Sequence, residues 1–342
     1  MEKITFRQYV DMLLDPETTE EQIVAYSIPK KGEGSAFSVE LAPNPELVIM
    51  SESDVEAESA MQIGNGVARF FRKNEFNRRK AKGDTSPVLV SEGDSWFQFP
   101  FFIDETIDQL NKDFMVWSVG AAGDTADNMV HRDPEYMKAL KKQKSAVKGF
   151  LFSAAGNDII GEDPDTGRPV LKDILKPFNG DTSDITGHVN FALLGQKVAF
   201  LRDAYSKVIA NVRSKPEFVK LPIFIHGYDY VFPFPFGAGD NRDPKWADKD
   251  QWLGSAMSSR GINDPDQRRA ILKLLIDTLY DMLDDLAGDS TQTQVWVVNC
   301  RDALPNVSDW ADEIHATSDG YAKVAARFKA RINEAFASLA TS

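Results

Sequence analysis

From Val88 onward the chain alternates short apolar runs with longer stretches of helical periodicity. The runs are Val88-Leu89-Val90, Phe114-Met115-Val116-Trp117, Phe150-Leu151-Phe152, Ile223-Phe224-Ile225 and Val295-Trp296-Val297-Val298. Each is apolar almost without interruption, as strands covered on both faces must be. Helical patterns fall at about 102–112, 125–143, 191–214, 265–287 and 319–338. This alternation predicts a parallel sheet joined by crossover helices, a three-layer, doubly wound, five-stranded α/β fold.

The first 85 residues read differently, as helices. Ile4, Tyr9, Val10, Leu13 and Leu14 form an apolar helical stripe that stops at Pro16. Thr19-Glu20-Glu21-Gln22 has the pattern of a capping box opening a second helix. Ser27 to Pro45 is rich in Pro, Gly and Lys and reads as a connector, and Ser53-Asp54-Val55-Glu56 as the cap of a helix running to about Lys82. The expected division is an accessory helical segment, 1–85, ahead of an α/β domain, 86–342, the segment being equally a docking or assembly element and a packed helical extension of the same domain.

Composition narrows the class. A chain of 342 residues with 42% hydrophobic and 27% charged residues is globular. There is no apolar run long enough to cross a membrane and no signal-peptide pattern at the start, so the expected compartment is the cytoplasm. A net charge of −13 argues against broad nucleic-acid binding, which needs clustered cations. Cys300 is the only cysteine, which excludes an intrachain disulfide and a multi-thiolate zinc site.

In doubly wound sheets chemistry gathers at the carboxyl ends of the strands. After the first run stands Gly93-Asp94-Ser95, where a serine hydroxyl could act as nucleophile and its own amide as an oxyanion donor. Taken alone, the tripeptide reads more simply as a strand-to-helix turn with Ser95 as cap. After the second run Gly123 can expose its amide, and after the third Asn157 offers a side-chain NH₂; each is equally a turn residue. A serine needs a base near neutrality, and the chain has four histidines. His315 follows Asp312 by three positions, a spacing that lets the carboxylate hold Nδ1–H and leave Nε2 for the serine. His131 and His188 read as solvated surface residues, and His226, at the end of the fourth run, equally as a structural or pocket-wall residue and as a catalytic one.

The combination is more specific than its parts. Gly-Asp-Ser, a Gly loop, Gly156-Asn157-Asp158 and Asp-x-x-His, in that order, resemble the SGNH hydrolases, also called the GDSL esterase/lipase family, over about Val88 to Phe328. The resemblance implies a flavodoxin-like hydrolase fold and a serine esterase needing no cofactor. It assigns the nucleophile to Ser95, the oxyanion donors to Gly123 and Asn157, the base to His315 and its orienter to Asp312. Trp96 stands where the family name records Leu, Ala155 where a glycine is usual, and Ala316 where proline often follows the histidine.

The expected substrate is a small-molecule, lipid or carbohydrate ester. Two other classes remain open: a catalytically silent α/β binding domain, and an assembly component that acts through residues 1–85 on a protein partner or another copy. Arg72, Lys73, Arg78, Arg79, Lys80 and Lys82 read as a solvated helix face, with lipid or nucleic-acid phosphates as the alternative. Two long loops, near 159–190 and 228–262, interrupt the α/β domain. The second alternates Tyr228, Tyr230, Phe232, Phe234 and Phe236 with other residues, which suits either an acyl-binding wall or a satellite core. Asp163-Pro164-Asp165-Thr166-Gly167 in the first reads as a turn rather than a cation loop.

Overall fold

A computed structural model describes residues 1–15, 17–31, 39–50, 63–99, 101–132, 134–161, 169–238, 240–244, 246–247, 252–289 and 294–341. The N-terminal segment contains β1 (Ile4–Thr5), α1 (Phe6–Leu14), α2 (Glu20–Ala25), β2 (Ser27–Lys31), β3 (Val39–Pro43), β4 (Val48–Ile49) and α3 (Ile63–Ala81). Both expected helices form, and Thr5 and Thr19 each close a capping box with a Gln three residues on. The connector reading of 27–45 is corrected: β2 and β3 pair antiparallel, Ser27 opposite Pro43 and Pro29 opposite Leu41. Pro and Lys positions hide the strand character of this segment, in which the consecutive Leu41 and Ala42 are both buried. The cap expected at 53–56 lies outside the described residues, as does 163–167.

The remaining strands are β5 (Val88–Gly93), β6 (Met115–Ser118), β7 (Val147–Ser153), β8 (Ile223–His226) and β9 (Val295–Val298). They form a parallel sheet in the order β6-β5-β7-β8-β9, with helices on both faces, the three-layer doubly wound architecture expected from the apolar runs. The order reverses at β5, so the loops after β5 and β7 diverge and leave a crevice between them.

Interleaved helices are α4 (Thr106–Leu110), α5 (Glu135–Lys142), α6 (Gly156–Ile160), α7 (Val170–Ile174), α8 (Phe191–Arg213), α9 (Leu253–Ser258), α10 (Pro265–Gly288) and α11 (Ser318–Ala340). Two expected helices are shortened. The one at 102–112 is confined to α4, where Glu105 accepts the amides of Ile107 at 3.1 Å and Asp108 at 3.3 Å and fixes the start. The one at 125–143 divides into a wide turn, Asn128–Arg132, and α5, because Pro134 lacks the amide that would continue it. The long loops also hold short helices, α7 in the first and α9 in the second. No described helix is long and apolar enough to cross a membrane.

α3 belongs to the packing of the sheet. It lies against β6, and its Phe76 meets Trp117 edge-on at 5.1 Å. Arg69 donates to the carbonyl of Gly120 at 2.8 Å and pairs with Glu135 at 2.7 Å. Arg79 donates to the carbonyls of Asn111 at 2.6 Å and Phe114 at 2.8 Å. Arg72 binds the carbonyl of Phe97 at 2.8 Å and pairs with Glu105 and Asp108. Within the basic cluster, Arg72 and Arg79 are therefore neither a solvated face nor a phosphate site. A smaller apolar cluster of Phe6, Tyr9, Leu13, Ile23, Leu41 and Val48 joins Val67 of α3 to Phe101.

Candidate active site

Ser95 lies in the turn that leaves β5. Gly93 makes that turn possible, since a Cβ there would stand 2.7 Å from the Cβ of Ser153. Asp94 then shapes it: Oδ1 accepts the amide of Trp96 at 3.1 Å, and the Asp94 carbonyl accepts those of Phe97 and Gln98, both at 3.0 Å. At the same edge of the sheet, beyond the carboxyl end of β9, Trp310 to Ala316 folds into a tight turn closed by a bridge between those two residues.

That turn brings His315 to the serine. His315 Nε2 lies 2.8 Å from Ser95 Oγ, and Nδ1 lies 2.7 Å from Asp312 Oδ2. Asp312 Oδ1 accepts the amides of Ile314 at 2.8 Å and His315 at 2.7 Å, so the carboxylate orients both backbone and ring. The Nδ1–H tautomer follows, with Nε2 free to accept the serine proton. The imidazole is wholly buried and Ser95 is 4% exposed. Phe99 meets the His315 ring edge-on at 4.8 Å.

Asn157 sits in the first turn of α6, in the segment that leaves β7. Its Nδ2 donates to the carbonyl of Asp124 at 2.5 Å, tying together the loops after β6 and β7. Ala155, where the motif usually has glycine, has φ of 101°, a left-handed conformation that L residues rarely adopt. Gly123 also has a positive φ, 83°. It lines a polar depression with Arg69, Asp124, Asn128 and Glu135, and is not among the residues that line the cavity beside Ser95.

Behind Ser95 runs a second buried network that the sequence patterns did not reveal. His226 Nδ1 accepts the amide of Tyr228 at 3.3 Å, so Nε2 carries the proton and donates to Ser153 Oγ at 2.8 Å. Ser153 in turn donates to Asp94 Oδ1 at 3.0 Å, and the Tyr228 hydroxyl donates to Asp94 Oδ2. Burial pushes His226 down to about 3 and Asp94 up to about 6. His226 is therefore neutral and structural. His188 departs from its expected place on the surface: it is fully buried, stacked on Phe178, and accepts the amide of Asn179 at 3.2 Å.

Glu313 was equally hidden inside Asp-x-x-His. Its carboxylate accepts four backbone amides, those of Phe234, Trp252 and Gly254 at 2.8 Å and Leu253 at 2.9 Å. Arg242 adds a second tie by donating to the carbonyls of Phe232 and Asp312, both at 2.8 Å. The long aromatic loop is thus anchored to the turn that carries Asp312 and His315.

A cavity of about 90 Å³ opens beside Ser95. Ser95, Asn157, Asp94 and Tyr228 are its polar lining, and the rest is apolar: Trp96 beside Ser95 and, for the greater part, aliphatic side chains from α6, α8, α10, Val231, Leu253 and Ile314. Phe232, Phe234 and Phe236 are not among the lining residues. Phe232 is buried in the main apolar core, edge-on against Phe236 at 4.8 Å with Arg269 over its ring.

No protein-family model matches the chain. No curated protein matches it either. Among solved structures, a family 3 carbohydrate esterase from Clostridium thermocellum aligns at 12% identity and a TM-score of 0.40, over 75% of this chain and 99% of its own. A proposed platelet activating factor from Streptococcus pneumonia aligns at 11% identity and a TM-score of 0.40, over 78% and 92%. A proposed SGNH hydrolase from Slackia heliotrinireducens aligns at 10% and 0.37, over 72% and 100%. Likenesses this distant add nothing to the geometry above.

Proposed function

We propose that the chain is a serine esterase of SGNH type. The observation that carries this reading is the continuous hydrogen-bonded series Ser95 Oγ, His315 Nε2, His315 Nδ1, Asp312 Oδ2, at 2.8 and 2.7 Å. Nucleophile, base and orienter within hydrogen-bond reach of one another are what acyl transfer requires. Ser95 Oγ attacks the ester carbonyl as its proton passes to His315 Nε2. The C–O bond to the alcohol breaks, and His315 returns the proton to the departing alkoxide. Water, deprotonated by His315, then attacks the acyl-enzyme, and the carboxylic acid leaves as Ser95 is restored. Throughout, Asp312 stabilises the imidazolium.

The oxyanion of each tetrahedral intermediate needs donors in place before it forms. The Ser95 amide and the second N–H of Asn157 Nδ2 serve that role in this reading; Gly123, the third donor that the resemblance implies, lines the separate polar depression and is not needed for it. Asn157 supports the assignment best, because it lines the cavity at Ser95 and is held by Asp124. A fluorophosphonate tests the proposal directly. The expected result is one covalent adduct on Ser95, absent from Ser95→Ala and from protein blocked at that serine. Turnover of an activated ester by Ser95→Ala at the wild-type rate would overturn it.

A further inference from the structure

The cavity beside Ser95 has a chemistry of its own. Its polar groups are gathered at the end where Ser95 and Asn157 stand, and two of them, Asp94 and Tyr228, are bonded to each other. Beyond them the wall is built of branched aliphatic side chains, Ile159 and Ile160 from α6, Leu194 and Val198 from α8, and Leu275 and Ile276 from α10. Such a wall offers no hydrogen bond to a sugar or a charged group, and burying one there unpaired would cost several kcal/mol, by about 2–7 kcal/mol per polar group.

The direction of the cavity decides which half of an ester enters it. The leaving alkoxide must reach His315 Nε2 to collect its proton. His315 is not among the residues that line the cavity, and its ring faces Phe99 and Trp252 instead. A group extending from the reacting carbon into the cavity therefore points away from the base, which is the acyl side.

Size limits the occupant. At about 90 Å³ the cavity has room for a chain of several methylene groups and none for a long one in full. Resting on the esterase reading above, we propose that the cavity is the acyl-chain site and that the substrates are esters of straight-chain aliphatic acids of medium length. Bare acetyl groups leave the aliphatic wall unfilled.

The test is a series of p-nitrophenyl esters from acetyl to palmitoyl, with the full chain, Ser95→Ala, Val198→Phe and Ile276→Phe. In the wild type kcat/KM is expected to rise about fourfold per added methylene, the rate equivalent of burying one methylene, and to fall once the chain outgrows the cavity. Val198 and Ile276 are half-buried, which leaves room for a larger ring without breaking the core. Each substitution should cut the octanoyl-to-acetyl ratio of kcat/KM at least tenfold. The wild-type series alone decides the matter if a variant fails to fold. Ser95-dependent turnover that is flat or falling with chain length, or that favours benzoyl over octanoyl esters, overturns the acyl-chain site and leaves the esterase standing. A preference for octyl acetate over methyl octanoate overturns it too, by placing the alcohol in the cavity. Undiminished turnover in Ser95→Ala overturns the esterase itself.

Discussion

The indole Nε1 of Trp96 donates to the carbonyl of Ile314 at 2.9 Å, joining the residue after Ser95 to the residue before His315 across 218 positions of sequence. The ring that makes this bond is wedged edge-on against Tyr228 at 5.2 Å and Tyr321 at 5.5 Å. The distance between the serine and histidine is thus set by a bond one residue away from each. Trp96 occupies the place where the family name has leucine, and a leucine would leave the Ile314 carbonyl without this donor.

Replacing Trp96 with Phe keeps a ring in the site and removes the donor. A buried carbonyl left unpaired costs about 1–3 kcal/mol, and kcat is expected to fall about tenfold through loss of registration between Ser95 and His315. Thermal unfolding and ester kinetics on the same preparation check both. An unchanged kcat with lowered stability would confine the bond to a structural role.

Ser95 and His315 are expected to act as one unit. Ser95→Ala and His315→Ala should each reduce kcat by about 10⁴-fold or more, and the double variant should be little worse than either. Asp312→Asn should lose rate with binding preserved, because an amide favours the wrong imidazole tautomer. Additive losses in the double variant would show that the two residues do not share a step.

How much of this was legible follows from what each contact depends on. The five strands announced themselves because both faces of a buried parallel sheet are apolar, and the site was found by looking at their ends. The pattern failed where a strand carries polar residues inward. β5 continues through Ser91 and Glu92, both buried, and burial holds the Glu92 carboxyl well above its ordinary range. Glu313 was invisible for another reason: its partners are backbone amides of Phe234 and Trp252–Gly254, which no side-chain pattern encodes. Likewise the Arg72 and Arg79 side chains look like any basic helix until their carbonyl partners in the next layer are known.

Ala155→Gly is expected to stabilise the protein. An L residue held at φ of 101° carries backbone strain of about 1–3 kcal/mol, and glycine relieves it while giving back about 0.4–1 kcal/mol through a freer unfolded chain. A net gain of about 1 kcal/mol should appear as a melting midpoint raised by about 1–3 °C. A lowered midpoint would mean that the Ala155 methyl, which lines the Ser95 cavity, contributes more packing than the strain removes.

The boundary at 85/86 separates α3 from the sheet it covers. A fragment of residues 86–342 loses Phe76 from its place against Trp117, and loses Arg69, Arg72 and Arg79 from their carbonyl and carboxylate partners. Buried carboxylates such as Glu105 would be left without their cation, each at a cost of about 3–5 kcal/mol. That fragment is expected to be insoluble or to melt far below the full chain, whereas 63–342 should retain measurable ester turnover. Full activity in 86–342 would return the N-terminal segment to the role of a separable docking element.

Asp158 gives the stability profile a predictable slope. Burial, more than any other cause, pushes its carboxyl up to about 6, while the amide of Ala126, 2.9 Å from Oδ2, pulls it back. In an unfolded chain the group titrates near 3.9. Between roughly pH 4 and 6 the native state therefore binds the proton more tightly than the unfolded state, and Asp158 subtracts stability as pH rises through that window. Its penalty is absent below pH ~4 and complete above pH ~6. Asp158→Asn cannot ionise and keeps an oxygen for the Ala126 amide, so the variant should match the wild type near pH 4 and exceed it near pH 7.5 by about 1–3 kcal/mol. Urea unfolding at the two pH values measures the difference. A variant less stable than wild type at pH 7.5 would show that the ionised carboxylate is favoured where it stands, held by contacts stronger than the cost of its burial.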